Sequence, residues 1–278
     1  MKSFFTLILS SILFIATAKG QELTLDDKYI KLVEKGDSAV AAESYATALE
    51  FYSEAMRLEP SNPSNILLLS NTGMLQFYMG EDSLAIRTLS IAHDIAPSSV
   101  TVLMNRARVY NANSQYARAL EDYDKVTQLD STLADPWRQK AMLQLQGGDV
   151  RGAETSIEKA TAIEPDSSAT LLVNAILYSS TSRPAEAIPY FTRLIKKDAE
   201  AEYYAARAMC RLMTDDLNGA SEDISDGLRL NDNDPELYVA RALLNKRRFR
   251  EKDSRQDAAT AMKKGATIER LQSLGLSL

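Results

Sequence analysis

The 278-residue chain has little of what enzymes and metal proteins depend on, with one cysteine, one histidine and eleven scattered glycines. Cys210 has no second cysteine to pair with, so an internal disulfide is excluded and a buried helical position is expected. His93 lies far from Cys210, so neither a Cys-His pair nor a histidine-rich metal site is predicted. No glycine-rich phosphate loop is present. We therefore expect a non-enzymatic protein without cofactor or metal.

Positive charge is also scarce. The chain has 32 Lys and Arg against 38 Asp and Glu, a formal net charge of −6. Nucleic acid is not an expected partner, because phosphate binding needs a basic face. The acidic run 231–234 lacks the glycine and the distal glutamate of a calcium loop, so it is interpreted as a solvated turn.

The one long apolar run, Phe4 to Ala16, lies at the N-terminus after Lys2 and before the small residues Ala18 and Gly20. It is shorter than the roughly 20 apolar residues of a transmembrane helix, and its flanks are those of a secretory signal. We predict that residues 1–20 are cleaved, after Gly20 or alternatively after Ala18. An uncleaved anchor is the other interpretation. The protein is therefore expected to be periplasmic or secreted if its source is bacterial.

The rest of the chain is repetitive. A small residue recurs at spacings of 37, 34, 34, 34, 33 and 34, and a second small residue follows each one twelve positions later. The first series is Gly36, Gly73, Ala107, Ala141, Ala175, Ala208 and Ala242, and the second is Ala48, Ala85, Ala119, Ala153, Ala187, Ala220 and Ser254. A large residue usually stands four positions after the second small one, and Pro60, Pro97 and Pro165 close three of the repeats. This pattern is typical of stacked helical hairpins.

A 34-residue helix-turn-helix unit with these small, large and proline positions resembles the tetratricopeptide repeat. The resemblance implies an all-α right-handed solenoid of about seven repeats over residues 29–266, after a short lead-in at 21–28. Two departures stand out. The loop Ser61 to Asn65 lengthens the first connection between repeats, and Ala258 replaces a large residue in the seventh. Residues 267–278 carry Ile268, Leu271 and Leu274 at helical spacing and are expected to cap the last hairpin.

Three repeats, and only these, combine an arginine one position before the first small residue with an aspartate three positions after the second. The pairs are Arg106 with Asp122, Arg207 with Asp223 and Arg241 with Asp257. Both positions lie near the faces where helices meet, so partly buried ion pairs are predicted, within a repeat or between neighbours. The alternative is that these arginines bind anions.

The resemblance implies a partner-binding groove on the first helix of each repeat. It is formed by residues one position after those that face the core. The predicted partner-binding residues on that face are Met74, Phe77, Met104, Arg108, Asn111, Arg138, Met142, Leu145, Leu172, Ile176 and Met209. The alternative interpretation is that this apolar stripe only packs first helices against one another. The basic run Lys246 to Lys252 is interpreted as a solvated turn. The alternative interpretation is contact with an anionic surface or lipid headgroups.

The predicted function is that of an exported scaffold that binds a peptide or a partner domain in this groove. The alternative is a structural or assembly subunit of a cell-envelope complex, which would use the convex face or the ends. The sequence identifies neither the partner nor the oligomeric state.

Overall fold

The computed structural model describes residues 27–277, and within that range the chain consists of fifteen helices without strands. The predicted signal peptide and most of the lead-in lie outside the described residues. The helices are α1 (Asp27–Ala41), α2 (Tyr45–Leu58), α3 (Asn65–Tyr78), α4 (Asp82–Ile95), α5 (Val100–Ala112), α6 (Tyr116–Leu129), α7 (Ala134–Gln146), α8 (Val150–Ile163), α9 (Ser168–Ser180), α10 (Pro184–Lys197), α11 (Ala201–Met213), α12 (Leu217–Leu230), α13 (Pro235–Arg247), α14 (Glu251–Lys263) and α15 (Ile268–Ser273). Helices α1 to α14 form seven consecutive hairpins, as the repeat spacing predicts.

The described residues divide into two compact units, the first ending at Ser131 and the second beginning at Thr132. The first contains the hairpins from α1 to α6, and the second contains those from α7 to α14 together with α15. In each unit the core consists of clusters of apolar side chains between the two helices of a hairpin and between successive hairpins.

Each hairpin turn contains one residue in the left-handed region. These residues are Glu43, Gly80, Ser114, Gly148, Ser182, Asp215 and Phe249, with φ between 55° and 81°. Their spacing reproduces that of the small residues. The next backbone N–H donates to the carbonyl five residues earlier in all seven turns, for example from Asp149 to Gln144 at 2.8 Å and from Arg250 to Asn245 at 2.8 Å. This is a Schellman end, which satisfies carbonyls that the helix leaves open and reverses the chain into the second helix.

The fourteen small residues of the two series are all buried. They allow the paired helices to approach, and the large residue of the second helix lies over the small residue of the first. At Gly73 a β-carbon would lie 2.6 Å from Cγ of Leu89, a side chain with no exposed surface. The small residue is thus a steric requirement of the hairpin.

The longer first connection is ordered by two asparagines. The side-chain amide of Asn65 donates to the carbonyl of Glu59 at 2.7 Å, and its oxygen accepts from the Tyr29 hydroxyl at 3.0 Å. The Asn62 oxygen accepts from the Ser64 backbone N–H at 2.9 Å. The extra residues therefore form a turn fixed to the first hairpin.

The last hairpin is capped as predicted, and the cap also accounts for the small residue Ala258. Leu271 and Leu276 are buried in one cluster with Ala258 and Val239. Arg270 of α15 pairs with Glu236 of α13 at 2.8 Å. Side chains from the cap thus pack beside the position where the other repeats place a large residue of their own.

We expect Gly73→Ala to lower the free energy of unfolding by about 1–3 kcal/mol, because the added methyl group overpacks against Leu89. The matched control is Gly147→Ala, where the new β-carbon would meet nothing closer than a backbone oxygen at 3.4 Å. Urea denaturation followed by circular dichroism measures both. Equal stability of the two variants would contradict the close approach of the helices.

Candidate functional site

In the first unit, the residues predicted to bind a partner are in part packed. Met74 and Met104 are only 5% and 9% exposed, and Met74 lies in a cluster with Leu89 and Val109. Phe77 contacts the same cluster and is half-buried, as are Arg108 and Asn111. In this unit both methionines are therefore buried, and Met74 packs between two hairpins.

In the second unit, the predicted face is more accessible. Its residues are all half-buried, namely Arg138, Met142, Leu145, Leu172, Ile176 and Met209. Leu145 packs against the core of the fourth hairpin, Leu172 against that of the fifth and Met209 against that of the sixth. Each side chain therefore has one side in the core and part of its surface accessible. Partner binding and packing, the two interpretations of this face, are therefore compatible here, since the same residues pack and remain accessible.

Arg138 is held within the protein. Its Nη1 donates to Glu164 Oε2 at 2.6 Å and to Thr170 Oγ1 at 3.2 Å, and only 12% of the side chain is exposed. Because Glu164 follows α8 and Thr170 lies in α9, the arginine links the fourth hairpin to the fifth. The sequence pattern did not reveal this pair, which occurs once and joins residues 26 positions apart.

The three predicted ion pairs are confirmed, and all of them lie within a hairpin. Arg106 binds Asp122 through Nε at 2.8 Å and Nη2 at 2.7 Å, and Arg207 binds Asp223 at 3.0 and 2.6 Å. Arg241 reaches one oxygen of Asp257 at 3.0 and 2.6 Å. The aspartate side chains are buried, so these guanidinium groups neutralise buried carboxylates. This arrangement disfavours the alternative of anion binding.

Two of these aspartates have a second partner that the sequence analysis did not predict. Arg211 also approaches Asp223, at 3.0 Å, and Asn245 donates to Asp257 at 2.9 Å. Both residues lie three positions after the first small residue of their repeats. A polar side chain at that position in both repeats was the signal available in the sequence.

The second hairpin differs at these positions. Thr72 and Thr88 take the places of the arginine and the aspartate, and Gln76 takes that of Arg211 and Asn245. Thr72 Oγ1 and Gln76 Oε1 are buried without a hydrogen-bond partner. Both side chains line an open cavity of about 760 Å³ between α2 and α3. Sequence analysis did not identify this cavity.

Burial makes the Cys210 thiol a poor nucleophile. Cys210 is buried as expected, and burial raises the pKa of its thiol to about 11, which keeps it protonated at neutral pH. Between residues 27 and 277, no group of three or more His, Cys, Asp or Glu side chains could hold a metal ion. Over the same range, no helix is both long and apolar enough to span a membrane.

Comparison with known proteins agrees with the geometry. Residues 100–133, the third hairpin, match the family model of the tetratricopeptide repeat. The fold is a tetratricopeptide-repeat solenoid. A tetratricopeptide repeat protein from Parabacteroides merdae is similar over 90% of this chain and 98% of its own, with 25% identity and a TM-score of 0.68. The predicted fold class is thereby confirmed.

Two sequence relatives are similar over shorter stretches. The co-chaperone sgt12 of Aspergillus fumigatus is 23% identical over 48% of this chain and 28% of its own length. The photosystem I assembly protein Ycf3 of Prochlorococcus marinus is 32% identical over 39% of this chain and 62% of its own. The chain thus spans less than two thirds of these curated relatives. Tetratricopeptide repeats are generally non-enzymatic modules for protein–protein interaction, so the fold implies a scaffold.

We expect Asp122→Ala to lower the free energy of unfolding by about 1–3 kcal/mol, because it leaves the half-buried Arg106 guanidinium without its partner. A double-mutant cycle with Arg106→Met should yield a coupling of similar size. An exposed aspartate, Asp232→Ala, is the control and should change little. Additive effects of the two substitutions would show that the pair contributes nothing to stability.

Proposed function

We propose that this protein is an exported, non-enzymatic scaffold that binds a peptide or a partner domain through the first-helix face of its second unit. The observation that carries the proposal is the partial exposure of five apolar side chains on that face, from Met142 to Met209. Such residues can bury further apolar area when a partner docks, and the surrounding core already fixes their positions.

The methionines suit this role because their unbranched side chains adapt to partners of different shape. Met142 and Met209 keep accessible surface, whereas Met74 and Met104 of the first unit are buried. We therefore infer that the second unit contributes more of the apolar contact. Arg108 and Asn111 of the first unit remain predicted contacts.

Arg138 enters the proposal in a different role from the one the sequence favoured. A partner carboxylate would have to displace Glu164 from the guanidinium group. Since Glu164 is exposed, such an exchange is sterically open, but it would replace one carboxylate with another for little net gain. We infer that apolar contacts contribute most of the affinity and that Arg138 orients the fourth and fifth hairpins.

The alternative function, an assembly subunit that uses its convex face or its ends, has an observation of its own. Large apolar side chains are exposed on second helices, including Ile91 and Ile95 of α4 and Leu230 of α12. The name of the relative Ycf3 describes an assembly protein, which is compatible with either surface.

Site-specific photo-cross-linking in the source cells distinguishes the two surfaces. We expect p-benzoylphenylalanine at position 142, 176 or 209 to cross-link one discrete partner, because all three side chains are partly exposed on the proposed face. The same group at position 230 is the matched control in the same unit and should give no such product. Cross-linking at 230 with none at the other three positions would favour the convex face.

Export is tested by the mass of the protein isolated from its own cells. We expect the chain to start at Gln21, or at Lys19 if cleavage follows Ala18, because small residues precede both points. The two products differ by the masses of Lys19 and Gly20. A protein that retains Met1 would contradict cleavage of a signal peptide.

A further inference from the structure

One side chain stands apart from the rest of the surface. Phe249, in the turn between α13 and α14, is 92% exposed, more than any other large hydrophobic residue that the structure describes. A phenyl ring in water gains nothing from folding, so packing does not explain this residue.

The backbone makes phenylalanine still less suitable here. Phe249 occupies the left-handed position of its turn with φ of 59°. The equivalent residues of the other six hairpins are Glu43, Gly80, Ser114, Gly148, Ser182 and Asp215, all of them polar or glycine. A left-handed backbone is disfavoured for bulky side chains. Folding alone would therefore select a glycine, asparagine or aspartate at position 249.

The turn also fixes the direction of the ring. The Phe249 N–H donates to the Lys246 carbonyl at 3.0 Å, and the Arg250 N–H donates to the Asn245 carbonyl at 2.8 Å. Because both bonds belong to the helix end, the backbone holds the phenyl group out at the tip of the seventh hairpin.

Basic residues flank Phe249 on both sides in the sequence. Segment 246–253 contains Lys246, Arg247, Arg248, Arg250 and Lys252 against Glu251 and Asp253, a net charge of +3 in a chain of net charge −6. Lys246 donates to the Gly275 carbonyl and Arg248 to that of Leu217, and neither acceptor neutralises a charge. The opposing acid from the neighbouring turn is Asp215, 3.4 Å from Arg247, and both are exposed. The tip therefore keeps a net positive charge.

We propose that this turn, residues 246–252, docks on anionic lipid headgroups and inserts Phe249 at the boundary with the acyl chains. A fluid, negatively charged interface accepts an aromatic side chain in a basic turn without requiring a complementary shape. A protein interface instead draws most of its affinity from a cluster of anchor residues, whereas residues 246–252 contain one apolar side chain. The remainder of the molecule is acidic, so repulsion from the same membrane favours approach by this tip.

The proposal is independent of the partner-binding face, and sedimentation with vesicles tests it. The protein is isolated from its own cells, so that all variants share one N-terminus. The wild type should sediment with phosphatidylcholine vesicles containing 40% phosphatidylglycerol at least tenfold more than with pure phosphatidylcholine. The enrichment should fall as salt rises, since exposed charges are screened.

Phe249→Asn should reduce sedimentation at least threefold while the melting temperature stays the same or rises, because asparagine suits the left-handed turn. Ser182→Asn, at the equivalent turn of the fifth hairpin, is the matched control and should change nothing. Arg250→Glu with Lys252→Glu should abolish the enrichment, whereas Lys196→Glu with Lys197→Glu, on exposed α10 residues, should leave most of it.

Phe249→Trp supplies a direct readout of insertion. Its fluorescence, after subtraction of the Trp137 signal of the wild type, should shift to shorter wavelength on anionic vesicles only. Equal sedimentation of Phe249→Asn and wild type would overturn the proposal. So would a wild type that ignores anionic vesicles while a photo-cross-linker at position 249 captures a soluble acidic protein.

Discussion

The contact between a small residue on the first helix of a hairpin and a large residue on the second sets the geometry of the whole chain. At Gly73 there is no room for a β-carbon beside Leu89, and the alanines at equivalent positions are fully buried. Helices that approach so closely need a tight connection, which the left-handed residue of each turn supplies. Since every hairpin meets the same two demands, they impose the repeat that is visible in the sequence.

This is why the fold could be predicted almost entirely from the sequence, whereas the accessibility of the candidate face could not. A small residue at a fixed spacing has one physical cause, and it recurs seven times. Whether Met74 is buried depends instead on the volumes of Leu89, Phe77 and Val109 around it. Those volumes differ between repeats, so Met74 and Met142 occupy equivalent positions and still differ in exposure.

The same distinction applies to the charged residues. The pair of Arg106 and Asp122 was predictable, because its members vary together among repeats and lie on the two helices of one hairpin. The pair of Arg138 and Glu164 has no counterpart pattern, and it joins neighbouring hairpins. Interactions that recur among the repeats can be recognised in the sequence. The partners of a residue that departs from the repeat are known only from the structure.

Departures are also where function becomes visible in such a chain, because packing has already determined the shared positions. Thr72 and Gln76 leave polar atoms unsatisfied where three other hairpins place a buried ion pair, and Phe249 exposes a ring to water where the other turns have polar residues or glycine. Each arrangement costs stability that the repeat pattern shows how to avoid. For Phe249, the cost falls on a turn whose residues also concentrate positive charge in an acidic protein. Two unfavourable features at one tip, an exposed ring and crowded cations, both become favourable at an anionic interface.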